Sequence, residues 1–341
     1  MKQYLENLDK ILNQGVIKGS ARSKMPRTKE IFPCVMEFNL QEGFPILTTK
    51  KMSLKNVAAE LLWFLSGSTN VLDLHNNNCH IWDEDCFRLY QRRNTDSNIT
   101  FDEWKELGKE YIEQSEFNQE IDDKFDCGKI YGELWRSWPV TNGKSIDQIC
   151  NLVNTIMNNP NSRYQIVSAW NPEIIQENDI ALPSCHCFWQ TCLRPTNNDN
   201  NFIDLTIYQR SCDYMLGVPY NIASYALLIH ILAKLTGNEV GKLTWIGGST
   251  HVYENHVEKA LIQLETEPKK LPTLECNFDN AQIPIEKCLL QKHYESTQIS
   301  SIINRLTPND FKLKNYDPHP VIKYEFSSGL NESKLKLAWN E

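Results

Sequence analysis

The sequence predicts an α+β fold, and three observations point there. Strand-like runs ("YQIVSAW", "ALPSCHCFWQ", "FIDLTIYQRS", "KLTWIGG") are interleaved with helix-period stretches, but without the regular βαβ rhythm of a parallel sheet. One segment, "LGVPYNIASYALLIHILAKLTGN", is apolar almost all round and reads as a helix lying in the core. The hydrophobic share, 41% of 341 residues, is enough to fill a substantial interior.

Taken in chain order, Leu5, Leu8, Ile11 and Leu12 recur at helical spacing and predict an amphipathic helix over 2–15. A second helix is predicted through "SLKNVAAELLWFLSGS", with Gly67 as its stop. Glu60 falls inside that apolar stretch, on the solvated flank or aimed into a pocket; spacing does not choose between them. Residues 86–127 are far more polar than their flanks and read as an insertion or small subdomain at the periphery. Ile146, Ile149, Val153 and Ile156 predict a further helix, and "NNPNSR" predicts a turn. Pro219 stands at the head of the long apolar helix, which Gly237 ends. "STHVYENHVEKALIQLE" reads as a polar lead-in that becomes a helix, and the "NNDNN" run at 197–201 reads as a loop tip.

Composition narrows the function classes. A net charge of -8 argues against a duplex nucleic-acid binder with a broad basic surface, while leaving room for a local arginine cluster on a small anion. No apolar run is expected to reach the roughly 18–20 residues of a membrane span, and "MKQYLENLDKILNQG" lacks the features of a signal peptide. No membrane role and a cytoplasmic location are therefore expected. The eleven cysteines are scattered and odd in number, which disfavours a disulfide framework and makes most of them small core residues.

The "PSCHC" stretch at 183–187 could be a metal site, a redox pair, a nucleophile or only core. No C-x-x-C pair occurs anywhere, so the metal and redox readings fall and no metal is expected. Core and nucleophile remain. In the same half lie "QRSCD" at 209–213, "GVPYN" at 217–221 and "THVYENH" at 250–256. Arginine and serine on a strand suit an anionic oxygen ligand, and arginine near a cysteine favours the nucleophilic thiolate.

"LPSCHCFWQ", "IYQRSCDYMLGVPYNIASYALL", "GGSTHVYENH" and "YDPHP" together closely resemble the thymidylate synthase family. The likeness extends to "MKQYLE", "FNLQEGFPILTTKK", "ELLWFLSGSTN", "IWDE", "YGELWRSWP" and "NPNSRYQIVSAWN", over nearly the whole chain outside 86–127 and the last twenty or so residues. It implies a single mixed β-sheet flanked by helices, with sheet-to-sheet homodimers, and one domain over 1–341 with an atypical tail at 323–341. It implies one-carbon transfer from 5,10-methylenetetrahydrofolate, as co-substrate, to C5 of a pyrimidine nucleoside monophosphate. Cys185 would be the nucleophile at C6, and Glu60, Tyr131 and His186 would serve the proton transfers. On the nucleotide side the matches are Arg22, Arg163, Gln209, Arg210, Ser211, Asp213, Asn221, His251 and Tyr253, with Arg163 supplied by the partner subunit. On the folate side they are Trp82, Asp213, Leu216, Gly217 and Tyr220. Asn221 suits the N3–H and O4 edge of uracil, which points to dUMP. Cys187 and Cys192 have no family role and read as core; His230, His256 and His319 read as core or surface.

Four departures stand out. The N-terminal phosphate loop of the family is glycine-rich, whereas here it reads "ARSKMPRTKEIF", with Arg22 the nearest match and Arg27 a possible replacement. Tyr164 stands where a second arginine normally follows Arg163, and Ser249 replaces an aspartate. The chain runs on past "YDPHPVIK". Because excluded water separates a methyl product from a hydroxymethyl one, the sequence admits three outcomes: methylation of dUMP to dTMP with dihydrofolate, hydroxymethylation of dUMP (or dCMP or CMP) with tetrahydrofolate, and a non-catalytic nucleotide-binding relative.

Overall fold

The computed structural model describes residues 1–19, 26–114, 118–141, 143–197 and 200–325. Seven strands make one mixed sheet. In spatial order they run Val16–Lys18, Thr28–Ile31, Glu239–Tyr253, Asn201–Asp213, His186–Pro195 and Ile166–Ser168, and Cys34–Asn39 pairs farther along the same edge of Glu239–Tyr253 as Thr28–Ile31. The Asn201–Asp213 and Glu239–Tyr253 pair is parallel and the others are antiparallel. A parallel pair needs a crossover, and the helix Gly217–Thr236 supplies it. The α+β fold expected from the pattern, and the single mixed sheet implied by the resemblance, are thus present.

The two faces of the sheet differ. Met36, Trp245, Ile207, Trp189 and Val167 are register partners in one row and are all buried. The helix Gly217–Thr236 packs on the two parallel strands and on Leu54–Ser66. That long helix is apolar enough to cross a membrane by length and composition, contrary to the expectation that no run would reach that length, but 78% of the window is buried inside the protein. Its near-uniform apolarity is the mark of a core helix. The opposite face carries the row Val35, Ile246, Tyr208 and Phe188, in which Val35 and Phe188 are exposed and the Phe188 and Tyr208 rings stack at 5.9 Å.

Local signals set the helix ends. The helix Leu54–Ser66 starts where Ser53 accepts from the Asn56 N–H and stops at Gly67, which takes the left-handed conformation at φ +88°. Gly237 does the same for Gly217–Thr236. Three expectations are corrected. Ile146 lies on a two-residue strand paired with Trp138–Pro139, and the helix is Gln148–Asn158, capped by Asp147. The polar "STHVY" is strand, since residues 250–253 have hydrogen-bonded neighbours on one side in Thr28–Ile31 and, for 250 and 251, on the other side in Asn201–Asp213. Cys192 is exposed rather than core, because it falls on the outward parity of its strand; Cys187 is buried.

The polar stretch 86–127 contains part of the helix Asp83–Arg93 and the helices Phe101–Gln114 and Gln119–Asp122. Its charges face outward over an aromatic cluster of Phe87, Phe101, Trp104 and Phe125, whose ring centroids lie 4.5–6.1 Å apart. Arg93 ties it down through ion pairs to Asp126 and Asp179.

Candidate active site

The register brings the predicted residues to one end of the sheet. His186 pairs with Gln209, Gln209 with Gly247, Ser211 with Ser249 and Asp213 with His251. Cys185 immediately precedes the strand His186–Pro195, and one residue later the ladder slips: Phe188 pairs with Tyr208, leaving Cys187 as an extra residue. A bulge of this kind re-aims side chains, and here His186 and Cys187 are both buried although they are adjacent.

Main-chain bonds hold Cys185 from both sides. Its N–H donates to the Tyr131 hydroxyl at 2.6 Å, and its carbonyl accepts the Arg210 N–H at 2.8 Å. The Arg210 guanidinium caps the carbonyls of Ser184 and Pro183, each at 2.8 Å, and sits over the Trp170 ring. Tyr131 starts the helix Tyr131–Arg136, which packs flush on the turn after Gly67; a side chain at Gly132 would meet the Ser68 carbonyl at 2.2 Å. The Tyr131 ring stacks on His186 at 4.2 Å.

Next to the cysteine runs a hydrogen-bond chain whose direction is fixed at Gln209 by two groups, the Trp245 indole and the Ser211 carbonyl, which accepts from Gln209 Nε2 at 3.1 Å. An indole N–H can only donate. Trp245 Nε1 donates to Gln209 Oε1 at 2.9 Å, so the Gln209 amide turns its Nε2 to Asn221 Oδ1 at 3.0 Å. Asn221 Nδ2 then faces His186 Nε2 at 3.4 Å, which must accept, so the His186 proton sits on Nδ1 and points at the Tyr225 hydroxyl 3.1 Å away. Burial pushes the His186 imidazolium down to a pKa of about 3, so the ring is neutral, as this direction requires. The Asn221 amide is left with one N–H and one oxygen lone pair unused by the chain.

Glu60 resolves toward the pocket. Its Oε1 accepts the Trp82 indole N–H at 2.8 Å, and burial raises its carboxyl to about 7, partly offset by that bond. A group balanced near neutrality can give and take a proton.

Asp213 Oδ1 accepts the N–H groups of Met215 and Leu216 just ahead of Gly217–Thr236. On that helix Tyr220 is half-buried, and Gly217 lies over Asn221. His251 is buried; its Nδ1 donates to the Ser249 carbonyl at 3.2 Å, and its ring meets Tyr253 edge-on. Ser211 is half-buried beside Ser249.

The remaining arginines are arranged differently. Arg22 lies outside the described residues. Arg27 grips the buried Glu254 through Nε at 3.2 Å and Nη2 at 2.9 Å. Arg163 is exposed, and Tyr164 beside it is 90% exposed.

Sequence reasoning missed Trp245, Tyr225 and Lys50. Tyr225 sits one turn after Asn221 in the same helix, and that spacing was the available signal. Nothing in the strand alternation marks the Trp245 N–H as important. Lys50 is buried; its Nζ donates to the Met215 carbonyl at 2.5 Å, and desolvation lowers it to about 8 while Asp213 pulls the other way. The Tyr324 ring covers Lys50 Nζ at 4.6 Å, and His256 Nε2 donates to the Glu325 carbonyl at 2.7 Å, so residues 324–325 of the tail are docked at this end. Residues 326–341 lie outside the described set. Residues 2–328 match the family model described as thymidylate synthase.

Proposed function

Because the chain belongs to the thymidylate synthase family, whose members are folate-dependent one-carbon transferases acting on C5 of pyrimidine nucleotides, we propose that it methylates dUMP to dTMP. The observation that carries the choice of base is the one-way chain from Trp245 through Gln209 to Asn221. An asparagine amide matches the N3–H and O4 of uracil in one orientation and the N3 and amino group of cytosine in the other. A flip toward cytosine would set two N–H groups against each other at Gln209, a buried mismatch of about 1–3 kcal/mol.

In this reading Cys185 adds through sulfur to C6, which makes C5 a carbon nucleophile. Glu60, Tyr131 and neutral His186 arrange the protons and ordered water around the base. Trp82, Leu216 and Tyr220 offer apolar surface, and the Asp213 carboxylate an acceptor, for a flat heteroaromatic with amino groups. 5,10-Methylenetetrahydrofolate would supply the carbon and the hydride. Gln209, Arg210, Ser211, His251 and Tyr253 would hold phosphate and sugar. The apolar row Val35, Ile246, Tyr208 and Phe188 supports a sheet-to-sheet homodimer, with Arg163 reaching the partner's phosphate site. A cytoplasmic enzyme with eleven thiols belongs to the same reading.

The test is incubation with dUMP and methylenetetrahydrofolate, identifying both products by mass spectrometry. dTMP with dihydrofolate is expected. Hydroxymethyl-dUMP with tetrahydrofolate would move the reading to a hydroxymethylase, and turnover of dCMP but not dUMP would overturn the role given to Asn221.

A further inference from the structure

We propose that His75, His80 and Asp83 form a binding site for one divalent transition-metal ion of the zinc type, placed to act on the loop that carries Trp82. His75 ends the short helix Leu72–His75, Asp83 opens the helix Asp83–Arg93, and His80 lies in the loop between. His75 Nε2 is 2.7 Å from Asp83 Oδ1, and His80 Nδ1 is 3.0 Å from Asp83 Oδ2. The two rings lie 4.4 Å apart, and one donor atom from each residue falls within 4.8 Å of the others.

The chemistry of the set selects the ion. Two imidazoles and a carboxylate suit zinc, cobalt or nickel, whereas calcium and magnesium prefer all-oxygen ligands. Bonds of about 2.0–2.2 Å to zinc require the carboxylate–imidazole pairs, now 2.7 and 3.0 Å apart, to spread by a few tenths of an ångström as the ion enters between donors that all lie within 4.8 Å. A carboxylate only accepts, so each imidazole now points an N–H at Asp83; to ligate an ion through that nitrogen each neutral ring would carry its proton on the other nitrogen instead. Among the described residues, the ion-pair partners of Asp83 are these two imidazoles, with no lysine or arginine neutralising it. His80 is 52% exposed at its side chain while His75 and Asp83 are almost covered, so an ion approaches from the His80 side and keeps open positions there.

Occupancy would be felt at Glu60. Asp83 follows Trp82 directly, and the Trp82 indole holds the Glu60 carboxylate. Gathering three ligands onto one ion stiffens the loop that positions that indole. The expectation of no metal rested on the cysteines; the spacing H-x4-H-x2-D matches neither a helix face nor a finger and becomes a cluster only when the loop folds.

The test uses Co²⁺ alone, added to the metal-stripped full chain and followed by its visible spectrum and by turnover. One equivalent should bind with the bands of nitrogen and oxygen ligation and change turnover. His80→Ala should weaken binding by at least about tenfold and abolish the turnover response, with metal-free turnover unchanged, because His80 is half-exposed and outside the catalytic set. His75→Gln should weaken binding similarly. Thiolate charge-transfer bands, or equal binding by His80→Ala, would overturn the site; binding without any change in turnover would overturn its link to Trp82. Metal-free turnover of dUMP is read separately, so failure here leaves the proposed reaction standing.

Discussion

Asn221 and Arg163 lie at the two ends we assign to base and phosphate, and they are held in opposite ways. Asn221 is fastened on both sides, by Gln209 at 3.0 Å and His186 at 3.4 Å, in a chain that begins at a fully buried indole. Arg163 is exposed, and among the described residues its guanidinium has no hydrogen-bond or ion-pair partner. One end is organised before any ligand arrives; the other has its arginine turned to solvent. Preorganised dipoles confer discrimination and rate, whereas an exposed arginine adds affinity only when an anion meets it. Changes at the base end should therefore alter chemistry, selectivity and stability, and changes at the phosphate end should alter nucleotide KM alone.

The largest effect is expected from Cys185→Ser, which should cut turnover by about 10⁴-fold or more while nucleotide binding by calorimetry persists. Glu60→Gln should lower kcat by about 10²–10³-fold and yet stabilise the protein. The Glu60 carboxyl is raised from 4.5 to about 7 in the folded state, so its contribution is fully present below 4.5 and is lost as pH rises through 7. The variant escapes that loss, so its advantage in denaturant melts should grow across this window to about 3 kcal/mol above pH 7. His186 works in the other direction: its lowered pKa gives stability above about 6.5 that is lost as pH falls toward 3.

Trp245→Phe removes one of the two groups that orient the chain and leaves the Ser211 carbonyl as the other. The ratio of kcat/KM for dUMP over dCMP should then narrow by up to about tenfold; an unchanged ratio would show that the Ser211 carbonyl alone suffices to orient the Gln209 amide. Arg163→Ala should raise the nucleotide KM about tenfold with kcat and melting temperature unchanged. If the proposed homodimer holds, mixing it with Cys185→Ser protomers should restore a low-KM component, because a hybrid dimer would contain one site with both Cys185 and the partner's arginine. Smallest of all, Tyr164→Arg should lower that KM a few-fold.

Much of this was legible because motifs list side chains in order. Cys185, Asn221 and Asp213 fall at the same end of the sheet, as their motifs listed them, since the strand and helix periods that carry them are regular. Glu60 was ambiguous because its position on an amphipathic helix says which side it lies on and not what covers it; Trp82 decides. The bulge at Cys187 was illegible, since an extra residue in a ladder is a property of the partner strand. The strand character of 249–253 was hidden because both of its neighbours come from distant sequence. Cys192 was misread because a cysteine's apolar nature does not reveal strand parity.

Asn221 and Tyr225 stand one turn apart on a single helix, and His186 on the adjacent sheet touches both. The imidazole thus indexes the helix against the sheet as a key indexes a shaft. A slide of one residue, about 1.5 Å along the axis, would stretch one contact and compress the other. Apolar packing alone tolerates many sliding positions; this polar stop admits one. A protein warmed or mutated enough to loosen its interior should first make errors in which base it accepts, and only later stop working.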